Sequence, residues 1–323
     1  MKYWSLAHQD QIEKAIQTAK NGNPNPYAVF DADNTIWKYD LIESLLAWMS
    51  VRGLIKLDGL DASLLPFPVR EDETPLSYYD YLCEINISVG YLWAAQIFSG
   101  YQLRELKDQV DAMLENSGVI QAPMPNGQTK AVFIARIFPA QKELISYLQQ
   151  NDVAVWVVSA SLEEVVRMVA SDPRYGLNIP PERVIGVNLA LEKPNGEVEV
   201  GALEREAGKR GLDYYFSKER MTWRLGTYPF APLTWYAGKV AAIQEWIDPA
   251  QRPILVAGDS PNDFYMQFYA AADQDAVRLR VCRKDSHTQK LKEEKERRHN
   301  SNVNPDPEKG WIVVESAALG LGE

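Results

Sequence analysis

The sequence predicts an α/β fold, a parallel sheet with helices on both faces, interrupted by one long and mostly helical insertion. Short apolar runs at 27–30, 153–158, 254–257 and 277–281 alternate with amphipathic stretches at about 136–150, 161–170 and 238–247. Strands that alternate with helices in this way build a parallel sheet buried on both faces. Between the first two runs, residues 40–130 have a helical pattern and carry no strong strand. With 323 residues, 46% hydrophobic and 24% charged, the chain can bury a sizeable core.

Residues 8–20 read as a short amphipathic helix with Ile12 and Ile16 on one face, followed by a turn-rich linker at 21–26 and the strand 27–30. We expect residues 1–39 and 131–323 to form the sheet core and 40–130 a helical domain of its own. That domain is rich in aromatic residues, among them Trp48, Tyr78, Tyr79, Tyr81, Tyr91, Trp93, Phe98 and Tyr101, with Trp37 at its threshold. A smaller insertion is expected at about 183–237, with a hairpin at Lys193-Pro194-Asn195-Gly196. Residues 290–298 form a charged helix with a solvated face, followed by a polar turn at 300–307 and an apolar segment at 311–314.

Several function classes are disfavoured. The net charge of -10 argues against a nucleic-acid surface, and no apolar run reaches the ~20 residues of a membrane span. Cys83 and Cys282 give neither a disulfide framework nor zinc spacing, and His8, His287 and His299 are scattered. Residues 1–10 lack the basic and apolar regions of a signal peptide. The chain as written is therefore expected in the cytoplasm, or in the periplasm if a leader has been removed. No feature specifies an oligomeric state.

Four motifs carry the chemistry. Asp31 and Asp33 follow the first strand, and paired acids at a buried strand end suit a hard cation and attack on phosphorus. The second strand runs into Ser159-Ala160-Ser161, where Ser161 and Glu164 have the spacing of a capping box and the turn could cradle a phosphate. Lys239 sits in the first turn of a helix, opposing its dipole, an odd choice unless an anion is near. Gly258-Asp259-Ser260-Pro261-Asn262-Asp263 follows the third strand; Ser260 and Pro261 suit a helix start, but Asp259 has no capping role. Parallel sheets bind ligands at the carboxyl ends of their strands, and all four motifs converge there.

VFDADNT (29–35), VVSAS (157–161), Gly238-Lys239 and GDSPND (258–263), in this order, resemble the motifs of the haloacid dehalogenase superfamily of phosphatases. The closer resemblance is to phosphorylcholine phosphatases of the phosphoserine-phosphatase-like branch. It rests on Asn34, on YDLIESLL (39–46), on the segment 77–100 and on TWYAGK (234–239); Ser-Ala-Ser in place of Ser-Gly-Gly counts against phosphoserine. The resemblance implies a Rossmann-like parallel sheet core with an inserted helical cap. It also implies a Mg²⁺-dependent hydrolysis of a small phosphate ester, phosphorylcholine or phosphoethanolamine, through an aspartyl-phosphate. Phosphoserine or another small metabolite is the alternative substrate, and a non-catalytic phosphate-binding module the rival class.

In that scheme Asp31 is the nucleophile and Asp33 the general acid and base. Ser159 and Lys239 bind the phosphoryl oxygens. Asp31, the Asp33 carbonyl and Asp259 bind the metal, while Asp263 holds Lys239 or a metal-bound water. Asn34 and Thr35 complete the substrate side of the motif. Tyr78, Tyr79 and Trp93, with Trp37 behind them, could hold a quaternary ammonium by cation–π contact, or could form the core of the cap. Glu43 could meet the cation, or serve a capping box with Asp40.

Overall fold

The computed structural model describes residues 1–22, 25–116, 118–270, 275–301 and 306–321. Residues 23–24 of the expected linker and 302–305 of the expected polar turn lie outside them. Helix α1 (Leu6–Gly22) buries Ile12, Ala15, Ile16 and Ala19 along one face and leads to the fully buried strand β1 (Tyr27–Phe30).

The chain leaves the sheet through β2 (Trp37–Lys38) and runs through α2 (Leu41–Val51), α3 (Pro75–Ile85), α4 (Ile87–Gln96) and α5 (Leu103–Glu115). A hairpin follows, β3 (Val119–Pro123) with β4 (Thr129–Phe133), and the chain returns through β5 (Arg136–Ile137), antiparallel to β2. The hairpin departs from the expectation of a mostly helical segment with no strong strand. Its signal is the Asn126-Gly127 pair, both at positive φ in the turn, which is what a tight hairpin loop demands.

The rest of the chain forms α6 (Pro139–Gln150), β6 (Ala154–Leu162), α7 (Glu163–Ala170), β7 (Val184–Glu192) and β8 (Val198–Glu199). Next come α8 (Gly201–Glu206), α9 (Leu212–Tyr215), β9 (Arg224–Phe230) and α10 (Ala237–Trp246). The last elements are β10 (Leu255–Gly258), α11 (Phe264–Tyr269), β11 (Val277–Cys282), α12 (Asp285–Ser301) and β12 (Trp311–Glu315).

Six strands are parallel in the order β12-β11-β10-β1-β6-β7, with β8 and β9 antiparallel on β7. Alternate residues of β1 enter opposite layers. Tyr27 and Val29 join Val158, Val256, Ile243 and Met266 on one face, while Ala28 and Phe30 join the larger cluster on the other. A strand buried on both faces has no polar alternation to show, which explains the continuous apolar reading of β1.

Two expectations are corrected here. The stretch 183–237 is not wholly an insertion, because β7 at its start is a buried strand of the main sheet. Its run is interrupted by Gly186 and by Asn188, whose Nδ2 donates to Glu163 Oε1 at 2.8 Å. Ser161 does not cap a helix: β6 continues to Leu162, and α7 begins at Glu163 without a side-chain cap. Glu164 instead lies in a buried network with Arg167 and Arg220, whose charges, against the upward push of burial, hold its carboxyl down at about 2. Cys83 and Cys282 are free thiols. Among the described residues no helix is long and apolar enough to cross a membrane.

Candidate active site

Asp31 directly follows β1, its N–H bonded to Ala257 O at 2.9 Å, so the central strand delivers its carboxylate to the sheet edge. That carboxylate accepts from Lys239 Nζ at Oδ1 (2.5 Å) and from Thr35 Oγ1 at Oδ2 (3.2 Å). Asn34 has a φ of 58°, a left-handed conformation that asparagine tolerates better than most residues. Its side chain accepts from Tyr39 N at 3.2 Å, closing the loop. Asp33 accepts from Trp37 Nε1 (2.6 Å) and Leu41 N (2.8 Å) at Oδ1, and from Ser161 Oγ at Oδ2.

Lys239 is fully buried at the start of α10 and bridges Asp31 and Asp263, the latter at 2.7 Å. The anions that its position called for are these two carboxylates. Gly238 is required there, since a Cβ would lie 1.8 Å from Leu233 O. Gly258 plays the same part on β10, where a Cβ would lie 2.5 Å from that of Asp263. The other oxygen of Asp263 accepts the N–H groups of Asp259 and Ser260, both at 3.0 Å, which ties the loop together. Asp259 pairs with Arg283, just beyond β11.

Oxygens of Asp31, Asp259 and Asp263 lie within 4.8 Å of one another, all buried. Such a set of hard carboxylate donors fits a divalent cation of the magnesium type. The Asp33 carboxylate stands outside this set. Without a metal, burial raises Asp31 well above the usual carboxylate range, and repulsion from Asp263 adds to it. Burial and Asp263 likewise raise Asp259, to about 6, against the pull of Arg283. Burial raises Asp33 too, opposed by its hydrogen bonds. Burial pushes Asp263 up as well, but Lys239, the Ser260 N–H and Arg280 together hold it below its ordinary value. Carboxylates therefore outnumber cations at this edge, and a cation added here would favour ionised Asp31 and Asp259.

A cavity of about 350 Å³ opens over the edge, reached by Asp31, Asp33, Asn34, Asp259 and Ser161. Asp40, Tyr79, Tyr91 and Tyr236 also line it, as do Arg283, Lys284, His287 and Lys290. Ser159 is fully buried beneath Ala160 and Ser161; its Oγ accepts from Ser161 N at 3.2 Å and its carbonyl from Thr234 Oγ1.

Of the expected substrate-binding residues of the inserted segment, only Tyr79 lines the cavity. Tyr78 is fully buried, donating to Phe67 O at 2.6 Å, and packs edge-on against Trp93, whose Nε1 donates to Leu64 O at 2.8 Å. Both are core residues. Trp37 is also buried and faces Asp33, not the cavity. Glu43 is neutralised by Lys130 at 2.7 Å and lies outside the cavity. Its neighbour Asp40 caps α2 through Glu43 N and does line the cavity. Tyr91, Tyr236 and Arg283 were not singled out from sequence. Arg283 carried a signal, being at the carboxyl end of a parallel strand.

The chain is 38% identical to a phosphorylcholine phosphatase of Pseudomonas aeruginosa, over 97% of this chain and 91% of that protein. This chain belongs to the haloacid dehalogenase superfamily of phosphatases, in the family of that relative. It is a phosphoric monoester hydrolase. No family model matches it. Among solved structures, a protein of unknown function from Anaerococcus prevotii is similar, with a TM-score of 0.60 at 18% identity over 90% of this chain and 89% of that one. Another, from Bordetella pertussis, has a TM-score of 0.52 at 13% identity over 90% of this chain and 99% of that one. These two likenesses concern the fold alone.

Proposed function

We propose that this phosphatase hydrolyses phosphorylcholine, with phosphoethanolamine as a close second, through a phosphorylated Asp31 and with magnesium as cofactor. The observation that carries the reading is one cavity that joins Asp31 and Asp33 to Tyr79, Tyr91 and Asp40. The phosphate end meets the sheet edge and the ammonium end meets aromatic faces and a carboxylate. Each cation–π contact is worth roughly 0.5–2 kcal/mol.

Asp31, held by Lys239 and Thr35, attacks phosphorus, splitting one difficult hydrolysis into two displacements. Lys239, reached by Asp31 and Asp263 alike, holds positive charge beside the transferring group as its negative charge redistributes. Ser159, the serine of the second motif, is fully buried and does not line the cavity, so its part in this reading is to support the turn that brings Ser161 to the cavity through the bond from Ser161 N. Asp33 gives a proton to the leaving oxygen and then takes one from the attacking water. Magnesium, bound by Asp31, the Asp33 carbonyl and Asp259, would offset the repulsion between the carboxylate and the phosphate dianion.

The basic residues that line the cavity favour a second reading. Arg283, Lys284 and Lys290 suit a substrate with a further carboxylate, such as phosphoserine. A panel of phosphate monoesters separates the two. We expect kcat/KM for phosphorylcholine to exceed that for phosphoserine by at least about tenfold, the equivalent of ~1.4 kcal/mol. The reverse order sinks the cation reading and leaves the reaction type untouched.

A further inference from the structure

An ionised carboxylate offers about four lone-pair positions, two on each oxygen. On Asp33 three are taken. Trp37 Nε1 and Leu41 N both donate to Oδ1, and Ser161 Oγ donates to Oδ2. An indole and a backbone amide can only donate, so Oδ1 has no free position at which to exchange a proton. Trp37 is 1% exposed and sits in β2, paired with β5, so its indole is packed where it meets Oδ1. Ser161 takes one side of Oδ2, and Asp33 and Ser161 both line the cavity.

We propose that Trp37 and Ser161 are positioning residues for proton transfer, fixing the plane of the Asp33 carboxylate and leaving a single lone pair, on Oδ2, open to the substrate. The inference rests on Asp33 being the acid and base of the reaction. In the first displacement the bond from Asp31 to phosphorus forms and the bond to the leaving oxygen breaks, while the Oδ2 proton passes to that oxygen and releases the alcohol. In the second, water attacks phosphorus and gives a proton to the same Oδ2. The bond between Asp31 and phosphorus then breaks, inorganic phosphate leaves, and Asp33 ends protonated as it began. Ser161 is free for this duty because β6 runs on to Leu162 and no helix claims its hydroxyl.

The test measures first-turnover alcohol release by rapid quench at saturating Mg²⁺. It compares phosphorylcholine, or the best alkyl phosphate of the panel, with p-nitrophenyl phosphate, whose leaving group needs no proton. Ser161→Ala should slow release from the alkyl ester at least about tenfold, as expected for loss of a charge-assisted hydrogen bond. Release of p-nitrophenolate should change by less than about twofold, since general acid help is needed little there. Ser161→Thr, which keeps the hydroxyl, should recover most of the alkyl ester rate. Trp37→Phe should repeat the leaving-group split. Equal losses on both esters, or an unchanged rate for Ser161→Ala on the alkyl ester, overturn the inference. Asp33→Asn is the reference: if it left alkyl ester release at the wild-type rate, the acid–base reading itself would fall, and this inference with it.

Discussion

At the sheet edge, residues from four distant parts of the chain reach one another within hydrogen-bond distance. Lys239 joins Asp31 to Asp263, and Ser161 reaches Asp33 across 128 positions of sequence. In the inserted segment, neighbours part company: Tyr79 lines the cavity, while Tyr78 is sealed in the segment's own core. The difference is one of geometry. Parallel strands must end on one edge, so a residue just beyond any of them is placed by topology alone. Successive residues on a helix point about 100° apart, so a ring's role depends on which face the tertiary packing covers.

The largest test of the contrast is at the edge. Asp31→Asn should lower kcat by more than about 10⁴-fold, as removal of a nucleophile does, with no trapped acid-labile phosphate. A variant that still turned over would show that the edge residues are brought together for binding only.

In the inserted segment the expected effects are smaller and divided by face. Tyr79→Ala or Tyr91→Ala should raise KM for phosphorylcholine roughly fivefold to thirtyfold, the equivalent of about 1–2 kcal/mol of cation–π contact. Tyr78→Phe should leave KM alone and destabilise the fold by about 1 kcal/mol, the net value of its hydrogen bond to Phe67 O. Steady-state kinetics beside thermal melts separate the two, and a KM effect from Tyr78→Phe would erase the distinction between the faces.

The smallest effect concerns pH. In metal-free protein Asp259 is raised to about 6, above its ordinary 3.8. Between those values the folded state binds a proton that the unfolded state has lost, so stability falls as pH rises through the window. Asp31 is raised as well and acts in the same direction. Glu164, held at about 2 against an ordinary 4.5, acts the other way below about pH 5.5, where its unfolded form still binds a proton, and contributes a steady amount only above that. We expect the melting temperature of chelator-treated protein to fall between about pH 5.5 and pH 6.5 and saturating Mg²⁺ to cancel that fall, because metal binding requires ionised ligands. Parallel curves with and without Mg²⁺ would remove Asp259 from the metal site.

What sequence could show follows the same division. β1 reads with its true ends because four consecutive apolar residues before Asp31 admit no other use. β7 was hidden by Gly186 and Asn188, whose reasons lie elsewhere. A Cβ on Gly186 would lie 2.6 Å from Ser161 O, and Asn188 answers the buried Glu163. Ser161 looked like a helix cap because Glu164 stands three residues on, yet both are taken by partners far away in sequence, Asp33 and Arg220. Local spacing could not reveal either. The aromatic richness of residues 77–100 was plain, but which rings face outward was not.

The β2–β5 ribbon has one further consequence. It places the departure and return of the inserted segment on paired residues, Trp37 opposite Ile137, about 5 Å apart as antiparallel neighbours are. Between those ends the segment is tied to the core again beside β9, where Gly100 N donates to Leu225 O at 2.7 Å and Leu103 N to Trp223 O at 2.9 Å. Changes of length between these anchor points leave the sheet edge where it is, so the segment can vary the surface it turns to the substrate without disturbing the carboxylates beneath it.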